Sequence, residues 1–166
     1  MLEKFEFRTI RISEAKQAAD IEQICFPPNE ACSEKHMTDR VEAASDLFLV
    51  VVDKENGKIA GFLNGIATNE CAFRDEFFTD ASLHQPDGNN VMLLGLDVLP
   101  EYRKQGLARE IVFQYSRRES DKGRKMLILT CLENKVTFYE KMGFTDRGLS
   151  GSTWGNEEWH EMTYNL

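Results

Sequence analysis

The chain has 166 residues, with 20 Lys and Arg against 28 Asp and Glu, a formal net charge of −8. That balance argues against a protein built to cover nucleic acid or an anionic membrane. Apolar residues at 42% and charged residues at 29% are the values of a soluble globular domain with one core, so disordered and fibrous classes are excluded and the chain is read as a single domain, 1–166.

In chain order, Phe5 to Ile12 alternates in the strand manner. Ser13 is placed to cap a helix whose stripe is Ala18, Ile21 and Cys25, ended by Phe26-Pro27-Pro28-Asn29. A second helix opens at Ser33, with Met37, Val41 and Ala44 on one face. Leu47–Val52 and Ile59–Ile66 flank Asn56-Gly57, a strong hairpin signal. Residues 69–89 are polar and irregular, with a short helix near Phe73–Phe78; a connection of this length is often functional. Val91–Val98 reads as a strand covered on both faces. A helix over Gln105–Lys122 follows, with Leu107, Ala108, Ile111, Val112 and Tyr115 inward and Gly123 ending it. Lys125–Leu132 is another buried strand, and two such strands joined by a helix imply a parallel pair. Asn134–Met142 is a short helix, with Asn134 a possible N-cap. Phe144–Trp154 and Glu157–Tyr164 predict a final hairpin over Gly155-Asn156, its two tryptophans a candidate homodimer interface. The expected fold is α/β, one mixed sheet with helices on both faces.

Cys25, Cys32, Cys71 and Cys131 form no C-x-x-C pair and no Cys/His cluster at ligand spacing, so no metal is expected. The opening Met1-Leu2-Glu3-Lys4-Phe5 is too charged for a signal peptide, and no apolar run nears the ~20 residues of a membrane helix. A cytoplasmic protein with no membrane partner is expected.

The chemistry is carried by Leu96-Asp97-Val98-Leu99-Pro100-Glu101-Tyr102-Arg103-Lys104-Gln105-Gly106-Leu107-Ala108. A buried strand ends, Pro100 forces an exit, and a helix begins near Gln105. Free N–H groups at a helix N-terminus bind anions. Gly106 lets a phosphate approach the backbone, and Arg103 and Lys104 add positive charge. Neither the Walker pattern nor G-x-G-x-x-G is present. On these grounds alone, an ordinary strand-turn-helix is as good a reading as a pyrophosphate site.

Arg103-x-x-Gly106-x-Ala108, preceded by Val98-x-Pro100-x-Tyr102, resembles the acetyl-CoA pyrophosphate loop of the GNAT N-acetyltransferase superfamily. Asn134-Lys135-Val136-Thr137-Phe138-Tyr139-Glu140-Lys141-Met142-Gly143-Phe144 resembles that family's second signature, and the element order is similar to its acyl-CoA N-acyltransferase fold over the whole chain. Ser82–Gly88 and Phe26–Ala31 are similar to loops of the arylalkylamine (serotonin-type) group and its bacterial relatives. The resemblance implies an acetyl-CoA-dependent N-acetyltransferase acting on a small-molecule primary amine in a ternary complex. Acetylation of a protein N-terminus or lysine, or a non-catalytic CoA-binding module, are the alternatives.

The resemblance also implies roles. The backbone at Leu96, Asp97 and Val98 would pair with pantetheine, and amides of Arg103, Lys104, Gln105, Gly106, Leu107, Ala108 and Arg109 would hold the pyrophosphate. Asn134 and Phe138 would contact the pantetheine arm. Arg109, Arg117, Arg118, Lys122, Arg124 and Lys125 form a basic region that either attracts CoA phosphates or is a solvated helix face. Tyr139 would be the general acid that protonates the leaving thiolate. With an amine pKa of about 10.4, only about one acceptor in a few thousand is uncharged at neutral pH, so a base is needed. The two histidines of the serotonin-type enzymes are replaced here by Met92 and Leu94. Glu30, His36, His84 or a water chain are the remaining candidates.

Overall fold

The computed structural model describes residues 2–166. Its elements are β1 (Phe5–Thr9), α1 (Ala15–Cys25), α2 (Glu34–Ala44), β2 (Phe48–Asp53), β3 (Ile59–Thr68), α3 (Glu76–Thr79), β4 (Asn90–Val98), α4 (Leu107–Asp121), β5 (Met126–Cys131), α5 (Val136–Glu140), β6 (Thr145–Leu149) and β7 (His160–Asn165). They build one seven-stranded sheet in the order β1-β2-β3-β4-β5-β7-β6. Among the described residues, only β4 and β5 run parallel. The expected mixed α/β sheet is what forms.

Both faces are covered. β2 and β3 are buried along their whole length, which explains their continuous apolar runs. On one face α4 lays Tyr115 against the sheet, and its buried hydroxyl donates to the Leu47 carbonyl at 2.9 Å. A Cβ at Gly65 would meet that hydroxyl and the Met92 carbonyl, so only glycine permits the approach. On the other face α1 and α2 bring Glu22 and Arg40 over Asn64 and Gly95. β3 and β4 slip register between Asn64–Gly95 and Gly65–Leu93, leaving Leu94 as the extra residue of a β-bulge.

Several local expectations are corrected. Ser13 does not cap α1. It lies in a 3-10 turn (Ile12–Glu14), and Glu14 organises the entry by accepting from the Arg11 N–H at 2.8 Å and pairing with Arg8 at 2.7 Å. Ser33 does cap α2, accepting from the His36 N–H at 3.1 Å. Asn134 sits inside a 3-10 turn (Glu133–Lys135) and caps nothing, because that turn delays the start of α5 to Val136. The last two strands are shorter than expected. Gly155 and Asn156 have the positive φ of a tight turn, but they form part of a ten-residue excursion between Leu149 and His160. Trp154 and Trp159 are turned inward rather than outward. The Trp154 ring packs 4.7 Å from Phe78, its indole N–H donates to the Glu30 carbonyl at 2.9 Å, and Trp159 donates to the Trp154 carbonyl at 2.7 Å.

The basic region is mostly absorbed by the fold. Arg124 is buried, pairs with Glu119 at 3.0 Å and donates to the Pro86 and Gly88 carbonyls. Arg118 donates to the Phe7 carbonyl, and Lys122 pairs with Glu119 and Asp46. Among the described residues, no helix is long and apolar enough to cross a membrane.

Candidate active site

β4 and β5 pair over only three residues, Asn90–Met126, Val91–Leu127 and Met92–Ile128, and then part. Beyond Met92 the β5 side of β4 has no strand partner, and a cavity of about 820 Å³ opens in the wedge. Unpaired strand backbone facing a cavity asks for a ligand with amide groups of its own.

The β4–α4 turn forms one end of this cavity. Lys104 (φ +63) and Gly106 (φ +79) both take left-handed backbone, which turns successive amides to one side. Among the described residues, the N–H groups of Lys104, Gln105 and Gly106 donate to no backbone carbonyl. The first-turn amides of α4 add to them. A Cβ on Gly106 would meet nothing within 4 Å, so the space above it is open to an incoming phosphate. Arg103 turns back instead, donating from Nε to the Val98 carbonyl at 2.8 Å. Its guanidinium therefore braces the strand end. The turn and the wedge fit a phosphorylated, amide-bearing chain such as CoA. Among the described residues no cluster of ligating side chains suits a metal ion.

Most of the expected site residues meet at this cavity. Leu96, Val98, Arg103, Lys104, Gly106, Leu107, Ala108, Arg109, Asn134, Phe138 and Tyr139 all line it. Gln105 does not, and the Asp97 side chain is fully buried beside Glu22. Tyr139 packs edge-on against Phe138 and Phe144, with ring centroids 5.1 Å and 5.5 Å away. Burial pushes its phenol well above the ordinary tyrosine range, helped by the charges of Cys131 and Asp97, so it stays protonated. A protonated phenol in the wall of the wedge can deliver a proton to a departing sulfur.

The proposed bases separate clearly. His84 uses Nδ1 to accept from the Ala67 N–H at 3.0 Å, and burial pulls its pKa down. It serves the loop, and neither it nor His36 reaches the cavity. Of the two positions where histidines are missing, Leu94 lies in the cavity wall through the bulge, whereas Met92 is wholly in the core. Glu30 does line the cavity, and its carboxyl is pushed up to about 7 by burial and then by the hydrogen bond and charge of Glu157.

Other wall residues were not visible in the sequence. Glu22, Cys25, Phe78, Trp154 and Trp159 also line the cavity, with Cys25 beside the β4–α4 turn, where its Sγ donates to the Val98 carbonyl at 3.4 Å. Glu22 stands between Ile21 and Cys25 in a helical stripe, the one usable hint. Phe78 follows Phe73 and Phe77 in the polar stretch, where three aromatics in six residues signal burial.

The Acetyltransferase (GNAT) family model matches residues 15–144. No curated protein matches the chain. Among solved structures, the GphF GNAT-like decarboxylase in complex with isobutyryl-CoA superposes with a TM-score of 0.83 at 16% identity, covering 96% of this chain and 98% of that one. The ribosomal-protein-S18-alanine N-acetyltransferase from Escherichia coli gives 0.71 at 19% identity, covering 98% and 94%. yncA from Salmonella typhimurium, solved with its cofactor acetyl-CoA, gives 0.65 at 14% identity, covering 98% and 94%. At these identities the structures share a fold with the chain and leave its substrate open. The family match spans most of the sequence, and the chain belongs to the GNAT acetyltransferase family, acting with acyl-CoA.

Proposed function

We propose that the protein transfers an acetyl group from acetyl-CoA to the primary amine of a small molecule that also carries an apolar or aromatic group, as arylalkylamines do. The observation that carries this reading is the aromatic lining of the cavity, Phe26, Phe78, Trp154 and Trp159. The excursion between β6 and β7 is fastened to the segment between α1 and α2. Trp154 donates to the Glu30 carbonyl, and Asn29 Nδ2 donates to the Gly155 carbonyl at 3.1 Å. Ser152 also binds Asp75, next to α3. These ties hold Trp154 in the cavity wall, and an aromatic wall fixed in this way favours a small molecule over a polypeptide laid through a groove. Phe26, Phe78, Trp154 and Trp159 offer apolar and π surface, suited to an alkylammonium with a hydrophobic tail.

The Glu30–Glu157 pair supplies the complementary charge. Near neutral pH it is partly protonated, and a bound cation favours its fully ionised form. KM for a cationic amine therefore falls as pH rises through about 7. In the reaction, the amine nitrogen attacks the thioester carbonyl carbon while both substrates are bound, and Tyr139 protonates the leaving sulfur.

The test is acetyl-CoA turnover, read as free thiol, over arylalkylamines, aliphatic diamines and peptides with free N-termini. Arylalkylamines are the expected substrates, and Trp154→Ala raises their KM about tenfold, the order expected from losing one aromatic contact to a cation. Faster turnover of peptides than of any small amine would replace this reading with protein acetylation.

A further inference from the structure

Glu22 and Asp97 are an anomaly that the binding of CoA does not explain. Glu22 is 4% exposed and Asp97 0%. If both are ionised, Glu22 Oε1 and both Asp97 carboxylate oxygens lack any hydrogen-bond partner, as does Arg40 Nε. The two carboxylates also converge. A Cβ built on Gly95 would lie 3.2 Å from Asp97 Oδ1 and 3.4 Å from Glu22 Oε1. Carboxylates only accept, so two of them in contact satisfy each other only when one carries a proton. Asp97 is the holder. Burial raises its pKa well above the carboxylate range, and the charge and hydrogen bond of Glu22 raise it further. Its neighbour Glu22 accepts from the buried Cys32 N–H at 3.1 Å through the other oxygen, which fixes its orientation.

The position of the pair fits the chemistry. Glu22 and Gly95 both line the cavity, at the bulge where β4 leaves β5. Tyr139 lines the same cavity as Glu22, so carboxylate and phenol face one space. We propose that Glu22 is the base that takes the proton from the attacking amine, with protonated Asp97 as the positioning residue that holds it. This rests on the amine-acetylation reading above. The amine nitrogen forms its bond to the carbonyl carbon and gives a proton to Glu22. The C–S bond breaks, and the sulfur takes the Tyr139 proton. Glu22 ends neutral and Tyr139 ionised, and one proton passed through solvent resets both.

The experiment compares Glu22→Gln with the unaltered protein on an arylalkylamine. The amide keeps an acceptor for the Cys32 N–H and removes the base. kcat falls about 10²–10⁴-fold, the usual worth of a positioned base, while acetyl-CoA affinity and melting temperature hold. Two further variants isolate Asp97 and serve if Glu22→Gln fails to fold. Asp97→Asn keeps a donor to Glu22 and keeps kcat. Asp97→Leu removes the donor and lowers kcat, while KM for the amine and acetyl-CoA affinity hold. Wild-type kcat in folded Glu22→Gln or in folded Asp97→Leu overturns the proposal and leaves amine acetylation standing. A protein that acetylates no amine at all overturns both.

Discussion

In the proposed mechanism Tyr139 acts through one oxygen. Replacing it by Phe keeps the ring contacts with Phe138 and Phe144, so folding is little changed. kcat falls by up to about 10²–10⁴-fold, and acetyl-CoA affinity moves much less, because the phenol matters in the transition state. An ordinary tyrosine would begin to ionise near pH 10, and the sequence alone predicts an alkaline decline there. Burial moves that ionisation higher, so wild-type kcat rises with amine deprotonation and holds its plateau through pH 10. A stopped-flow or thiol-release profile of both proteins checks this, and equal kcat values would remove Tyr139 from the chemistry. Tyr139 was legible because it stands in a local pattern, Phe138-Tyr139-Glu140 before Gly143-Phe144. Glu22 was not, because its significance depends on Asp97, 75 positions away and on another element. Sequence periodicity reports which side of a helix is buried and is silent on which buried acid will face another.

At the scale of elements, regular strands and helices followed their residue patterns, and the errors fell at the ends and in the connections. Ser13 and Asn134 look like caps by residue type, but 3-10 turns carry both past the capping position. Gly155-Asn156 has the local chemistry of a hairpin, yet tertiary contacts from Asn29 and Asp75 hold a wider excursion around it. Basic residues misled for a similar reason. Arg124 seemed available for phosphate, whereas it ties the start of β5 to the 81–89 connection and to Glu119 at the end of α4. A buried pair of this kind is costly to break from one side. Arg124→Leu leaves buried Glu119 with Lys122 alone as charge partner and takes the donor from the Pro86 and Gly88 carbonyls, and should destabilise the protein by up to about 3–5 kcal/mol. Urea unfolding measures this, and a loss below about 1 kcal/mol would mean that the pair is dispensable. CoA binding in the folded fraction should be unaffected, since the pair lies away from the cavity.

The whole molecule is a sheet with a gap in its middle. Of its six strand junctions, the one between β4 and β5 parts after Met92 and Ile128, and the proposed mechanism puts the acyl donor in the wedge it leaves. A ligand that binds only the folded state at 100 times its Kd stabilises it by about 2.7 kcal/mol. For a chain of this size that is roughly 5–10 °C in melting temperature. CoA should produce such a shift and slow hydrogen exchange at the amides of Gly95 to Val98. Gly106→Val, which fills the open space above the turn and strains a residue at φ +79, should abolish most of it. An undiminished shift in that variant would place the phosphates elsewhere. The same gap has a consequence for the life of the protein in a cell. Exposed strand backbone is a template for another chain, and here that template lies beside the active site rather than at the sheet margin. A bound acyl donor would cover that template, so the protein without CoA should self-associate more than the protein with it, and scarcity of CoA would deplete the catalyst as well as its substrate.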